Sequence, residues 1–333
     1  MKLSICIATY NRARVIGQTI ESIAPQLSDD CELVIADGAS PDNTASVVRS
    51  YAESNPQIRY VQLPKKGGVD RDYCLCVEAA RGEFCWLLSD DDLLTPDAVA
   101  RVLAQLDSHI DLLIANASTH GPDFQETFQD RRMPIREDMT FTPDRLADFA
   151  KLAGDYLTFI GGVVIRKSVW LARDPEPYIG TEFIHVGMIF QGLFKGSIHV
   201  LAEPVIRIRY GVAQWGSRGF EIWMFKWPRL IWSLGLLPEE TRTAITPAEP
   251  WRRVTRLAVF KARGLYTTKQ YVAFLRSQRI RPHHRILIYL LAAFPDRLYI
   301  RIMRRLFPLV APHDRMLRME MDAALLRLDS SKH

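Results

Sequence analysis

The sequence is short of the signatures that fix many function classes outright. Its five cysteines, Cys6, Cys31, Cys74, Cys76 and Cys85, are odd in number, form no C-x-x-C pair and have no histidine at zinc-ligand spacing. A disulfide scaffold and a structural zinc site are therefore not expected; reduced, mostly buried thiols are. Neither G-x-G-x-x-G nor G-x-x-x-x-G-K-[ST] occurs, so hydride transfer on a dinucleotide and ATP hydrolysis on a phosphate loop both lack their motif. Long apolar runs are missing from the basic C-terminal part: the longest there, Ile286 to Phe294, is nine residues, against the roughly 20 that span a bilayer as a helix. The opening "MKLSICIATYNR" starts directly on an apolar run and lacks the layout of a signal peptide, so a cytoplasmic chain is expected. Repeats and low-complexity segments are absent.

What is present is ordinary globular matter, 333 residues with 48% apolar content, enough for one large domain or a domain with a sizeable appendage. The net charge of +5 hides a division. From Trp251 onward there are 18 Lys and Arg against 5 Asp and Glu, which leaves 25 against 33 for the preceding residues. The tail is thus a separate electrostatic object.

Along the first hundred residues apolar runs and helical periodicities alternate. "KLSICIATY", "CELVIADGAS", "IRYVQLP" and "EFCWLLS" read as strands. Between them, "ARVIGQTIESIAPQL", "DNTASVVRSYAESN" and "DRDYCLCVEAARG" read as helices, and "TPDAVARVLAQL" as a fourth with Thr95 capping and Pro96 at its first position. Continuously apolar strands alternating with helices predict an α/β fold, a mostly parallel sheet with helices on both faces. Further strands are expected at 110–118, 159–170 and 197–210, with a helix in "EFIHVGMIFQGLFKG". The texture changes near 215 and again near 250, which suggests a catalytic domain over 1–215, with halves 1–115 and 116–215, and a helical, basic region over 216–333.

In a parallel α/β sheet, ligands bind outside the carboxyl ends of the strands. Three such ends here are "ATYNR", "ADGAS" and "SDDD". Asp90, Asp91 and Asp92 in a row repel one another unless a cation sits among them, and Mg²⁺ or Mn²⁺ takes carboxylate and phosphate oxygens. The plain alternative is that they cap the next helix. Asp37 admits two readings as well, an acceptor for a nucleotide's base or ribose, or a turn former.

In order and at their separations, "SICIATYNR", "ELVIADGASPDNT" and "GGVDRDYCLCVEAARGEFCWLLSDDDLLTPDAV" resemble family 2 glycosyltransferases of the GT-A fold, and most of all the abequosyltransferase-like subgroup acting on bacterial surface polysaccharides, including O-antigen. The resemblance covers about the first 110 residues. It implies that Thr9, Tyr10 and Arg12 contact the nucleotide, that Asp37 binds the base, and that Asp42 and Asn43 end that loop. Ser89, Asp90 and Asp91 fall on the family's D-x-D motif. Ser89 departs from it, which leaves Asp91 as the first metal ligand and Asp90 near ribose or metal, with Asp92 less defined. A divalent Mn²⁺ or Mg²⁺ bridging a diphosphate leaving group suits this chemistry. The resemblance further implies an inverting transfer, with an acidic base at a helix start. Glu182, 91 residues after Asp91, fits that position, and His185 is its rival. The alternatives for these two are a helix-start preference and interior packing. Asp70 and Arg71, at the entry of a helix with Asp72, are expected at the donor sugar or phosphate, or else are a solvated helix start.

The implied partners are a nucleotide diphosphate sugar donor and a glycan or lipid-linked acceptor. The tail, with Trp215, Trp223, Trp227 and Trp232 and its arginines, reads either as a peripheral contact with an anionic membrane at the inner face of the plasma membrane, or as a helical subdomain with a wet arginine side. Its aromatics are embedded among aliphatics, so nucleic acid is not an expected partner. Two other functions compete with sugar transfer. A nucleotidyltransferase would want a glycine- and lysine-rich first loop, which "ATYNRAR" is not; a catalytically inactive binding or scaffold protein would explain Ser89.

Overall fold

The computed structural model describes residues 1–212, 216–310 and 314–330. It divides into two compact units, one of Met1–Arg209 with Leu230–Ile245, the other of Tyr210–Arg229 with Thr246–His333. The sequence reading left everything beyond 215 in one region, whereas Leu230–Ile245 packs with the first unit: Glu240 pairs with Lys151 at 2.7 Å.

The first unit is built on a mixed, mostly parallel sheet, as the continuously apolar strands require. Strands β1 (Leu3–Thr9), β2 (Cys31–Asp37), β3 (Ile58–Gln62) and β4 (Phe84–Leu87) are parallel in the order β3-β2-β1-β4. The short β5 (Leu93–Leu94) follows β4, then the long β6 (Ile110–His120) and the three-residue β7 (Thr127–Gln129) and β8 (Met139–Phe141). Antiparallel β9 (Val163–Arg166) lies between β4 and β6, and β10 (Ser197–Arg209) runs parallel to β6. Helices α1 (Ile16–Ile23), α2 (Thr44–Ser54) and α3 (Val69–Ala79) connect the first four strands. They are followed by α4 (Ala98–Gln105), α5 (Leu146–Ala153), α6 (Lys167–Leu171) and α7 (Ile184–Phe190).

Three boundaries differ from the sequence reading. Helix α4 starts at Ala98 rather than at Pro96, because Thr95 bonds across to the Val205 carbonyl and stays extended. The strand expected over 159–170 shrinks to β9. Gly161 and Gly162 curl in a tight turn, and a Cβ on Gly162 would lie 2.7 Å from the Tyr156 ring. Helix α7 starts two residues after Glu182.

All five cysteines are free and buried, and they all belong to this unit. Burial pushes the Cys31 and Cys74 thiols up to about 12.

The second unit is helical. One core gathers Phe220, Phe225, Trp251, Phe260, Tyr266 and Ile288; another gathers Ile300, Leu317, Met321 and Ala324. Lys261 is fully buried, its ammonium bonded to the Ala292 carbonyl at 2.9 Å and paired with Asp296. Of the four tryptophans expected as membrane anchors, the three described are not fully exposed. Trp227 is buried, and Trp223 packs against the aromatic core; in the first unit, half-buried Trp232 lies under the Arg242 guanidinium. Trp215 lies outside the described residues. Among the described residues no helix is long and apolar enough to cross a membrane.

Candidate active site

The ends of β1 and β2 are level, since Thr9 and Asp37 are paired in register. The Gly38 N–H continues the ladder to the Thr9 carbonyl at 3.0 Å. Beyond this rung the two loops are stitched together. Asn11 N–H donates to Ser40 Oγ at 2.8 Å, Arg12 N–H to Thr44 Oγ1 at 2.8 Å and Ala13 N–H to Asp42 Oδ2 at 3.0 Å. Asp42, rather than Asn43, caps α2, accepting from the Thr44 N–H at 3.0 Å. Burial pulls the Asp42 carboxyl up, but its bonds from Thr44 and Ala13 win and hold it below the usual range.

The same loop reaches β4 through one side chain. Arg12 places Nε 3.1 Å from Asp90 Oδ1 and Nη2 3.1 Å from Asp91 Oδ2. Here is a cation that lets three aspartates stand in a row. Arg209, at the end of β10, supplies a second: its N–H donates to Asp92 Oδ1 at 2.8 Å and its Nε to the Asp91 carbonyl at 2.9 Å. Compensation is nevertheless incomplete. Burial, with Asp91 alongside, raises the Asp90 carboxyl to about 7 against the pull of Arg12. Asp91 is raised by burial against Arg12 and Arg209, and Asp92 by burial and Asp91. Arg209 escaped the sequence reading because it lies more than a hundred residues from the cluster; its only local signal is a basic residue closing the alternating stretch "VIRIR", residues 205–209.

Asp37 is fully buried and its carboxylate is engaged. Ser40 donates from N–H at 2.9 Å and from Oγ at 2.6 Å, and Tyr60 Oη at 2.7 Å, the pattern of a turn-holding residue. Tyr10, beside it in the chain's first loop, has the Lys66 ammonium 3.6 Å above its ring. Asp72 accepts from the Gly67 N–H at 3.0 Å.

Asp70 and Arg71, expected at the donor sugar or phosphate, each have partners within the protein. The Asp70 carboxylate accepts three backbone N–H groups from far along the chain, those of Gly180 (2.8 Å), Glu182 (2.9 Å) and Ile184 (3.0 Å). Burial raises this carboxyl, the three N–H bonds lower it, and the nearby Glu182 charge raises it again. Arg71 makes an exposed fork to Glu176, both contacts at 3.1 Å.

Glu182 is half-buried and sits at φ +72°, a left-handed conformation for a residue with a Cβ. His185, its rival as base, is buried at 1% exposure, and its Nε2 donates to the Leu157 carbonyl at 2.8 Å. Burial lowers this imidazole to about 4. His185, read from the sequence as the rival of Glu182, is thus turned inward and neutral.

Among the described residues no three His, Cys, Asp or Glu side chains form a metal cage. The site does offer two adjacent, largely buried carboxylates sharing one guanidinium. That donor set fits a hard divalent ion whose remaining ligands are phosphate and water.

Residues 4–171 match the family model described as Glycosyl transferase family 2. Among curated proteins the chain is 28% identical over 223 residues to Abequosyltransferase RfbV of Salmonella typhimurium, a match over 63% of this chain and 67% of that protein. It is 32% identical over 103 residues to the GalNAc(5)-diNAcBac-PP-undecaprenol beta-1,3-glucosyltransferase of Campylobacter jejuni, spanning 31% of this chain and 33% of that one. Among solved structures, S. aureus TarS 1-349 in complex with UDP-GlcNAc matches the fold with a TM-score of 0.54 at 16% identity, over 99% of this chain and 92% of that one.

Proposed function

The chain belongs to glycosyl transferase family 2, and from that premise we propose that it moves a sugar from a nucleotide diphosphate sugar to a hydroxyl of a glycan or lipid-linked glycan, with inversion, in bacterial surface polysaccharide synthesis. The similarity to an abequosyltransferase and to a glucosyltransferase named for an undecaprenol-linked glycan supports that acceptor class. The observation that carries the reading is Arg12, which ties the β1 loop to Asp90 and Asp91 at the end of β4, so that nucleotide-facing and phosphate-facing groups share one sheet edge.

Each group has a task in a single displacement. The stitched β1 and β2 loops, with Tyr10 and with Asp37 bracing the turn, hold the nucleoside. Asp91, with Asp90, would hold Mn²⁺ or Mg²⁺, which when bound supplies positive charge to the departing diphosphate. Arg12 adds a fixed guanidinium beside that diphosphate. Glu182 takes the proton of the acceptor hydroxyl as its oxygen attacks the sugar carbon.

The test is a panel of UDP-, GDP-, CDP- and dTDP-linked sugars with Mn²⁺ or Mg²⁺, screened by thermal shift and then by nucleotide diphosphate release. One donor should raise the melting temperature and turn over, and Asp91→Ala should lose at least a hundredfold in rate. Unchanged turnover in that variant would remove the metal role. Neither stabilisation nor turnover with any donor would favour an inactive scaffold.

A further inference from the structure

Glu182 holds a conformation that its own residue type disfavours, with Gly180 two residues earlier also left-handed at φ +87°. A non-glycine residue persists there only when its surroundings over-determine it. Locally, Thr181 Oγ1 accepts the Phe183 N–H at 3.1 Å across Glu182, while α7 has no side-chain cap of its own. The Glu182 N–H itself is held from α3. Asp70 is 3% exposed, and its two oxygens divide the loop between them, Oδ2 taking Gly180 and Glu182 and Oδ1 taking Ile184.

We infer that Asp70 is a positioning residue for the base, a latch that fixes the backbone of Glu182 and the start of α7 so that the Glu182 carboxylate faces the acceptor. The inference rests on the reading of Glu182 as base. A carboxylate suits the task because each oxygen accepts more than one N–H, and because the negative charge meets the first N–H groups of a helix. A neutral amide would put two donors against one of those N–H groups.

The experiment uses the sugar nucleotide that turns over in the panel, with Asp70→Asn, Glu182→Gln and the double variant. Asp70→Asn should lower kcat ten- to a hundredfold, leave donor KM within threefold, and speed amide hydrogen exchange at Gly180, Glu182 and Ile184 while β1 to β4 exchange as in the wild type. In the Glu182→Gln background the same substitution should cost less than threefold more. Unchanged kcat, a loss confined to donor KM, or full multiplication of the two effects would overturn the latch and leave the base standing. Full turnover of Glu182→Gln would overturn the base and the latch with it. Should Asp70→Asn fail to fold, Asp70→Ser, whose hydroxyl accepts one N–H, gives the same reading.

Discussion

At the scale of single residues, the acidic cluster and His185 show burial moving proton affinity in opposite directions. The aspartates are drawn toward their neutral forms, and Arg12 and Arg209 oppose this. His185 is also driven neutral, which for an imidazole means its proton affinity falls, to about 4. The unfolded imidazole titrates near 6.5, so the unfolded chain binds the extra proton first. The stability that this residue permits is therefore complete above pH 6.5 and erodes as pH falls toward 4. Urea unfolding at pH 7 and pH 4.5 should show a loss of roughly 2–3 kcal/mol from this group, reduced by that amount in His185→Gln. Equal losses in both proteins would mean that the imidazole titrates in the fold as it does in water.

At the scale of elements, the approach of strands and loops is set by residues too small to notice in a sequence. Gly82, between α3 and β4, lies so close to β1 that an added Cβ would meet Ser4 N at 2.5 Å and the Leu3 carbonyl carbon at 2.7 Å. Those atoms are backbone and cannot step aside. Gly82→Ala should cost about 1–3 kcal/mol in urea unfolding, with β1 and β4 losing amide protection together; an unperturbed midpoint would show that the loop, not the strand, sets the spacing. The alternation of β1 to β4 with α1 to α3 was legible in sequence because each strand is a continuous apolar run closed by a polar turn. Those closing turns also gave Arg12, Asp37, Asp90 and Asp91, whose strand ends the structure brings to one edge. What was not legible depends on distant pairing: Asp92 with Arg209, Asp70 with the loop before α7, and the inward turn of His185. Two-residue β5 is of the same kind, existing only because Leu93 and Leu94 meet Arg207 and Ile206 of β10.

At the scale of the whole molecule, the basic tail is an organised helical unit with an unusual outer face. The helix Pro282–Ala293 buries Ile288 and Ala292, yet it exposes Ile286 (60%), Leu287 (50%) and Leu290 (59%). The following helix, Asp296–Val310, continues with exposed Leu298 and Ile302, next to exposed Arg301 and Arg305. Apolar side chains flanked by arginines suit the boundary of an anionic bilayer, and this face is the one the proposed peripheral attachment would use. Sedimentation with vesicles of one-third phosphatidylserine should be strong at low salt and weaken at 0.5 M NaCl, since exposed charges are screened. Ile286→Asp with Leu290→Asp should abolish it while leaving nucleotide diphosphate release intact. Equal binding to neutral vesicles would remove the electrostatic part.

The distribution of thiols has a practical consequence for unfolding experiments. With all five cysteines inside the first unit and none in the second, a thiol-reactive dye reports on the opening of one unit alone. Enclosed sulfurs react only from an opened state, so the labelling rate in mild denaturant measures how often the sheet comes apart. Tryptophans lie in both units, Trp86, Trp170 and Trp232 in the first and Trp223, Trp227 and Trp251 in the second, so fluorescence senses the opening of either. A fluorescence phase faster than thiol labelling would show the second unit opening without the first.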